Sequence, residues 1–391
     1  MELVSKRIEN DVLYIELNGR VDTTNAQEAE NGINALLAGN EQLPLVLDLE
    51  NLQYISSAGL RVVLRLRKNN AGLKIINANA DVYEILDMTG FTDMIPVEKA
   101  FRRLSLDGCE VLAKGANGTV YRYDAETIVK IYHNGADLEE IRLEKELCRK
   151  VLIKGINTAI PYDVVKVGDY YGSVAEMLSA KSVAKHLRAD PGMLEECMEL
   201  YTEQLKKIHA TPVEPGEMPS IKETGVDWAE FLKPYLPEDQ WQKLYDMMQA
   251  IPEPHFMIHG DYHANNVMIQ NGEPLLIDMD TVAYGHPVFE LAAIYLGYVG
   301  YCECDNEQTM SFYGLPYELT VKMWESFMEK YFDDDAQRQD AATKAKIIGY
   351  ARMMRRTIRR NGLNTPDGQQ IIALCKQRLE ELLPLVDKLY Y

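Results

Sequence analysis

HGDYHANNVMIQNGEPLLIDMD, residues 259–280, brings three oxygen-bearing side chains into a pattern that suits a metal-assisted site. Asp261 and Asn266 stand five apart. At that spacing one loop can offer a carboxylate to orient a hydroxyl and an amide oxygen to hold Mg²⁺. The residues that follow predict a hairpin, with 267–270 as one strand, Asn271-Gly272 as the preferred two-residue turn and 275–277 as the returning strand. Counting back from the turn puts Asn266 opposite Ile277, so Asp278 lies beside Asn266. A carboxylate and an amide at that place make a hard oxygen site suited to Mg²⁺ carrying nucleotide phosphates.

HGDYHANNVMI followed by LLIDMDTVAYGHPVFELA resembles the paired signature of the aminoglycoside phosphotransferase and choline kinase-like family. The resemblance implies Asp261 as the base and Asn266 and Asp278 as metal ligands. Asp280, two residues on, either assists the metal or faces the substrate, and His259 braces the loop. Where family members commonly carry Pro-Gly, this chain has Ala264-Asn265, a difference in loop shape more than in chemistry.

Upstream, KGANGTVYRYDAETIVKIYH predicts strand, glycine turn, strand, polar turn, strand. Gly115-x-x-Gly118 is either an ordinary hairpin or a turn that lays backbone N–H groups over phosphates. Lys130 sits inside the apolar run 128–132, where an ammonium is costly without an anionic partner. In kinase-like proteins the partner is a glutamate on the next helix, predicted here over 138–154. Glu144 falls in that helix's apolar stripe of Ile141, Cys148 and Val151, which makes it the first candidate, with Glu146 as the alternative. A hairpin is predicted over 164–167 and 171–177. By resemblance, the backbone near Glu176 to Leu178 meets the adenine where the lobes join.

The first hundred residues alternate strands (11–17, 43–49, 73–78) with helices (23–37, 58–68, 82–88), with a turn at 54–57. LVLDLENLQYISSAGLRVVL and the later LDMTGF resemble the STAS domain of anti-sigma factor antagonists, which carries a phosphorylatable serine at a helix start. Ser57 matches that serine, and Ser56 replaces the aspartate that usually precedes it. The serines are open to two readings: a phosphosite favoured by the helix dipole, or a plain helix cap.

Residues 193–209 predict a helix, 211–220 a proline-rich break, and 228–250 further short helices on the substrate side. Tyr295, Tyr298 and Tyr301 with Glu303 and Asp305 suggest either an aromatic, acidic pocket for an amine or ordinary core. The basic run RMMRRTIRR, 352–360, is expected on a helix as a solvated face or pairing with acidic groups. The net charge of −19 over 391 residues argues against nucleic acid as the main partner and is compatible with a cationic substrate. Six scattered cysteines suggest reduced thiols. No run is long or apolar enough for a membrane span or signal peptide, so the expected location is cytoplasmic.

The chain therefore predicts an α+β, multidomain protein, with a STAS-like mixed sheet and helices over 1–104 and a two-lobed, protein-kinase-like phosphotransferase with lobes at 105–178 and 179–391. The expected activity is Mg²⁺- and ATP-dependent transfer to a hydroxyl of a small molecule such as an amino sugar or amino alcohol, with the STAS-like region meeting a protein partner. The alternatives are a regulator that binds ATP without turnover and a protein kinase acting on STAS serines. The second is disfavoured because no Ala-Pro-Glu segment follows Asp278 and Asp278-Met279-Asp280 stands where Asp-Phe-Gly would.

Overall fold

A computed structural model describes residues 2–114, 118–132 and 138–391, with the side chain of Glu139 excepted. The chain divides into two compact units, Met1–Ser105 with Val164–Tyr170, and Leu106–Asp163 with Tyr171–Tyr391. Val164–Tyr170 belongs with the first because Arg102 and Arg103 pair in parallel with Val165 and Lys166. The Leu104 N–H also donates to the Lys166 carbonyl at 2.9 Å.

The first unit is a five-stranded mixed sheet in the order Val4–Glu9, Val12–Leu17, Leu45–Asp48, Lys74–Ala78, Val97–Lys99. The first pair is antiparallel and the rest parallel. Helices Ala26–Leu37, Ser57–Asn69 and Ala80–Met88 follow the strands, and Leu13, Ile15, Leu47, Val63, Ile75 and Leu86 form the core beneath them. One strand is missing from the sequence reading, and one expectation needs correcting. The strand Val4–Glu9 carries a mixed, largely polar face that hides it from a periodicity reading. The expected turn at 54–57 is a short strand, Leu52–Ile55, running parallel to Gly19–Val21. It leads straight into a helix capped by Ser56, whose Oγ accepts the Ala58 and Gly59 N–H groups at 3.2 and 3.4 Å. A Cβ at Gly59 would stand 2.7 Å from Ile55 Cγ1, so the tight strand-to-helix approach requires glycine there. Ser57, one residue past the cap, is exposed.

In the second unit, antiparallel pairings join Glu110–Lys114, Gly118–Arg122, Thr127–Tyr132 and Tyr170–Glu176 in that order. The helix Leu138–Ile153 follows the third strand. Beyond it lies a helical lobe whose core is dominated by tyrosines, with Tyr201, Tyr262, Tyr298, Tyr313 and Tyr350 among its largest buried side chains. Tyr262 OH donates to the Tyr201 carbonyl at 2.7 Å, and Tyr201 OH donates back to the Tyr262 carbonyl at 3.1 Å. This reciprocal pair ties the 259–266 loop to the helix Leu194–His209. The expected short helices before the loop are Ile221–Phe231 and Glu238–Gln249, the first beginning earlier than predicted because Ser220 caps it.

Of the two readings left open for residues 295–305, Tyr295 and Tyr298 take the core one, while Tyr301 is half-buried and Asp305 exposed. Tyr295 and Tyr298 are buried. Glu303 accepts from Tyr295 OH and Tyr350 OH and pairs with Arg378 at 2.8 Å, so its charge is already compensated. Asp305 accepts the Glu307 N–H at 3.0 Å as a local turn. All six cysteines are free thiols, and among the described residues no helix is long and apolar enough to cross a membrane.

Candidate active site

Lys130 lies in the strand Thr127–Tyr132 with its side chain only 19 % exposed, where burial penalises a bare charge. Its Nζ donates to Glu144 Oε1 and Oε2 at 3.0 and 3.2 Å and to Asp278 Oδ1 at 3.1 Å. Burial pulls the ammonium's pKa down, but Glu144 and then Asp278 more than reverse this, and the net shift is upward. Lys130 is therefore held fully charged. Glu144 is held in turn by Tyr132 OH, which donates to Oε2 at 2.7 Å and shares a contact with Ser173 Oγ at 3.0 Å. Glu146 points away and pairs with Lys150 on its own helix, one turn on. The apolar stripe thus separates the two acids correctly. With Glu144 replaced by alanine, Lys130 is left to Asp278 alone. A loss of ~10- to 100-fold in kcat/KM is expected, as for other residues that orient a charged group. Steady-state kinetics check it, and unchanged kcat/KM would remove Glu144 from the site.

Gly118 has a packing reason of its own, since a Cβ there would lie 2.4 Å from the Ile131 carbonyl oxygen of the neighbouring strand. Gly115 lies outside the described residues. Glu176 ends its strand opposite Thr127, and Leu178 follows, half-buried, just past it.

The loop 259–266 is shaped by backbone constraints. Gly260 has φ +85°, and a Cβ would stand 2.3 Å from the Thr281 carbonyl oxygen. His259 is buried, its pKa lowered by that burial, and its Nδ1 accepts the Asp261 N–H at 3.3 Å. It braces the turn as a neutral ring. The Asp261 side chain is 43 % exposed, and His263 Nε2 stands 3.5 Å from its Oδ2. Burial works to raise the Asp261 pKa, but His263, Arg352 and His259 outweigh it and lower the carboxyl to about 2. Asn266 Nδ2 donates to the Asp261 carbonyl at 3.0 Å, turning the amide so that its oxygen faces away from that bond.

The hairpin Val267–Gln270 and Glu273–Leu276 has the register expected of an Asn-Gly turn, with φ of +54° at Asn271 and +83° at Gly272. The Ile277 N–H donates to the Asn266 carbonyl at 3.0 Å, which puts Asp278 next along. Asp278 itself has φ +64°, a left-handed conformation rare for a non-glycine residue and concentrated at functional sites. Asp280 is half-buried. Among the described residues no group of three or more His, Cys, Asp or Glu side chains gathers into a metal cage. Asn266 and Asp278 offer two hard oxygens, the donor set that suits Mg²⁺ completed by phosphate oxygens and water.

Two residues that sequence reasoning did not single out complete the site. Glu290, fully buried, accepts the backbone N–H groups of His259 at 2.7 Å, Gly260 at 3.1 Å and Tyr262 at 3.2 Å. The signal for it was a lone acid in the apolar run VFELAAIYLGY. Arg352 opens the basic run and stands 3.5 Å, through both terminal nitrogens, from the Gly260 carbonyl oxygen. The expected solvated face is thus wrong for Arg352, which looks onto the loop.

Comparison with known proteins places both parts of the chain. The model of the phosphotransferase enzyme family, APH, matches residues 108–312, and that of the STAS domain matches residues 4–104. Over 101 residues the chain is 37 % identical to BtrV of Bordetella bronchiseptica, described as an anti-sigma factor antagonist, covering 25 % of this chain and 85 % of that protein. An anti-sigma F factor antagonist of Paenibacillus polymyxa is 29 % identical over 90 residues, 22 % of this chain and 77 % of its own. The crystal structure of a thermostable mutant of the aminoglycoside phosphotransferase APH(4)-Ia, in its apo form, matches 71 % of this chain and 94 % of that chain. Its TM-score is 0.50 at 11 % identity, a likeness of fold.

Proposed function

Since this chain belongs to the phosphotransferase enzyme family, with a STAS domain ahead of the catalytic part, and is an ATP-dependent phosphotransferase with an alcohol group as acceptor, we propose that its residues divide that work as follows. Asp261 orients the hydroxyl of a small-molecule acceptor. Lys130, aimed by Glu144, holds the phosphates of ATP together with the backbone at Gly115 and Gly118, and the backbone at Glu176 to Leu178 meets the adenine. Asn266 and Asp278 hold Mg²⁺, which when bound neutralises charge on the phosphates. Asp280 assists at the same edge.

In the transfer the acceptor oxygen bonds to the γ-phosphorus and the bond to the β–γ bridging oxygen breaks, releasing ADP. The hydroxyl proton leaves through Asp261 to solvent. With its pKa held near 2, Asp261 is too weak a base to strip the hydroxyl early. It aligns the nucleophile and takes the proton late, as suits a loose transition state.

The observation that carries this reading is the convergence of Lys130, Glu144 and Asp278 within 3.2 Å. Titration of ATP with and without Mg²⁺ tests it. Asp278→Ala is expected to lose the Mg²⁺-dependent part of nucleotide affinity along with turnover. Identical titrations for wild type and variant would remove the metal role.

The STAS domain supports a regulatory part that docks on a protein partner, and Ser57 is its candidate phosphosite. Ser56 already supplies the cap, so the exposed Ser57 hydroxyl is not needed for it. Phosphate in the first turn of the Ser57–Asn69 helix would be offset in part by the dipole. Reliance on ATP supports action in the cytoplasm.

A further inference from the structure

The net charge of −19 makes the last turns of the helix Asp335–Arg359 the anomaly of this chain. Arg352, Arg355, Arg356 and Arg359 on that helix, and Arg360 at its end, are clustered in a chain that carries 60 acidic residues. None of the five makes an ion pair among the described residues. The helix dipole favours cations only in the last turn, which leaves Arg352, two turns earlier, unexplained. Arg352 is half-buried, its guanidinium 5.3 Å from the centre of the Trp228 ring, and its one acceptor among the described residues is the Gly260 carbonyl at 3.5 Å. Most of its five donors are unspent.

Arg356, one turn on, has its guanidinium 5.7 Å from the Tyr301 ring and donates to Tyr301 OH at 3.0 Å. Arg355 has its guanidinium 5.5 Å from the Phe231 ring and its buried Nε without a partner among the described residues, with the charge of Asp227 acting on it from nearby. Trp228, Phe231 and Tyr301 thus each lie within about 6 Å of a guanidinium of this run. That arrangement suits bidentate capture of a carboxylate or phosphate.

Of the groups suggested for a cationic acceptor, Glu303 and Tyr298 are already engaged elsewhere. Glu303 is taken up by Arg378, Tyr295 and Tyr350, and Tyr298 is core. Asp261 remains as the one carboxylate of the loop that Arg352 faces, and Arg352 already acts on its charge.

We propose that the acceptor is an anionic alcohol, carrying a carboxylate or phosphate that Arg352, with Arg356 beside it, grips while its hydroxyl meets Asp261. This rests on the reading of the site as a phosphotransferase. It departs from the cationic substrate with which the net charge is compatible, because His263 and Arg352 set positive groups about Asp261.

Four sugars of one shape and different charge test it by titration calorimetry against the full chain with Mg–ADP present: glucose, glucosamine, glucuronate and glucose 6-phosphate. The two anions are expected to bind at least about tenfold more tightly than the others, and Arg352→Gln to abolish most of that preference, as loss of a charge-assisted pair does. Arg338→Gln, which alters an arginine paired with Asp335 at the far end of the same helix, is expected to leave it intact. Equal or tighter binding of glucosamine or glucose overturns the proposal, and so does binding of none of the four, or anion binding unmoved by Arg352→Gln. A variant that weakens Mg–ATP but not the anionic sugar would assign Arg352 to the donor phosphates, against the proposal. Failure of Mg–ADP to bind in the same cell would instead sink the phosphotransferase reading, a separate result.

Discussion

Replacing Asp261 with alanine is expected to reduce phosphoryl transfer by ~10²- to 10⁴-fold, the range for loss of a positioned acid–base group, while Mg–ATP affinity stays within a few-fold. The separation follows from where the side chain sits. Its carboxylate is 43 % exposed beside His263 and Arg352, whereas the ion pairs that hold Lys130 run to Glu144 and Asp278. A parallel loss of nucleotide affinity would show Asp261 to be a metal ligand instead. The pH profile carries the same information. A carboxyl lowered to about 2 is ionised throughout the range in which the protein can be assayed, so no rising limb near pH 4 should come from Asp261.

Glu290→Ala is expected to be the most destabilising single change near the site. It strips the acceptor from three buried backbone donors and leaves a void. Each orphaned N–H costs ~1–3 kcal/mol, so a total of at least ~3 kcal/mol is expected, seen as a lower midpoint for unfolding of the catalytic unit. The loop would also lose its anchor, so turnover should fall even in the fraction that remains folded. Burial works to raise the Glu290 pKa, but His209, whose Nε2 stands 3.9 Å from Oε2, with His259 and the Gly260 N–H, lowers it overall. A carboxyl with a depressed folded pKa contributes stability above its unfolded value, and that contribution is lost as pH falls through the folded one. The gap between wild type and Glu290→Gln should therefore narrow below about pH 4.5, an acid range set by the ordinary carboxyl pKa. A gap that is independent of pH would mean that the carboxylate's charge plays no part.

The elements legible in the sequence were those fixed by local rules. Asn271-Gly272 prescribes a left-handed pair of residues, and that fixed the register which lays Asp278 beside Asn266. An apolar stripe on one helix distinguished Glu144 from Glu146, because burial at that stripe requires a charged partner. What stayed hidden was set by contacts far apart in the chain. Glu290 serves backbone groups about thirty residues upstream, and Arg352 reaches a carbonyl 92 residues away. No periodicity encodes either. The tyrosines at 295 and 298 could not be assigned from spacing, since helical spacing describes a core face and a pocket wall equally well. Ser56 and Ser57 could be separated only once the helix start was known, because a cap and the residue after it differ by one position.

The central claim is that phosphate moves from ATP to a small molecule's hydroxyl through Asp261. Incubating the full chain with Mg²⁺ and γ-labelled ATP in a deproteinised extract of its own cells tests it most directly, with the label followed into small molecules, protein and inorganic phosphate. The account predicts label in a small-molecule phosphomonoester that disappears with Asp261→Ala. Label that appears only on protein, with Ser57 the first site to map, or only as inorganic phosphate, would contradict it.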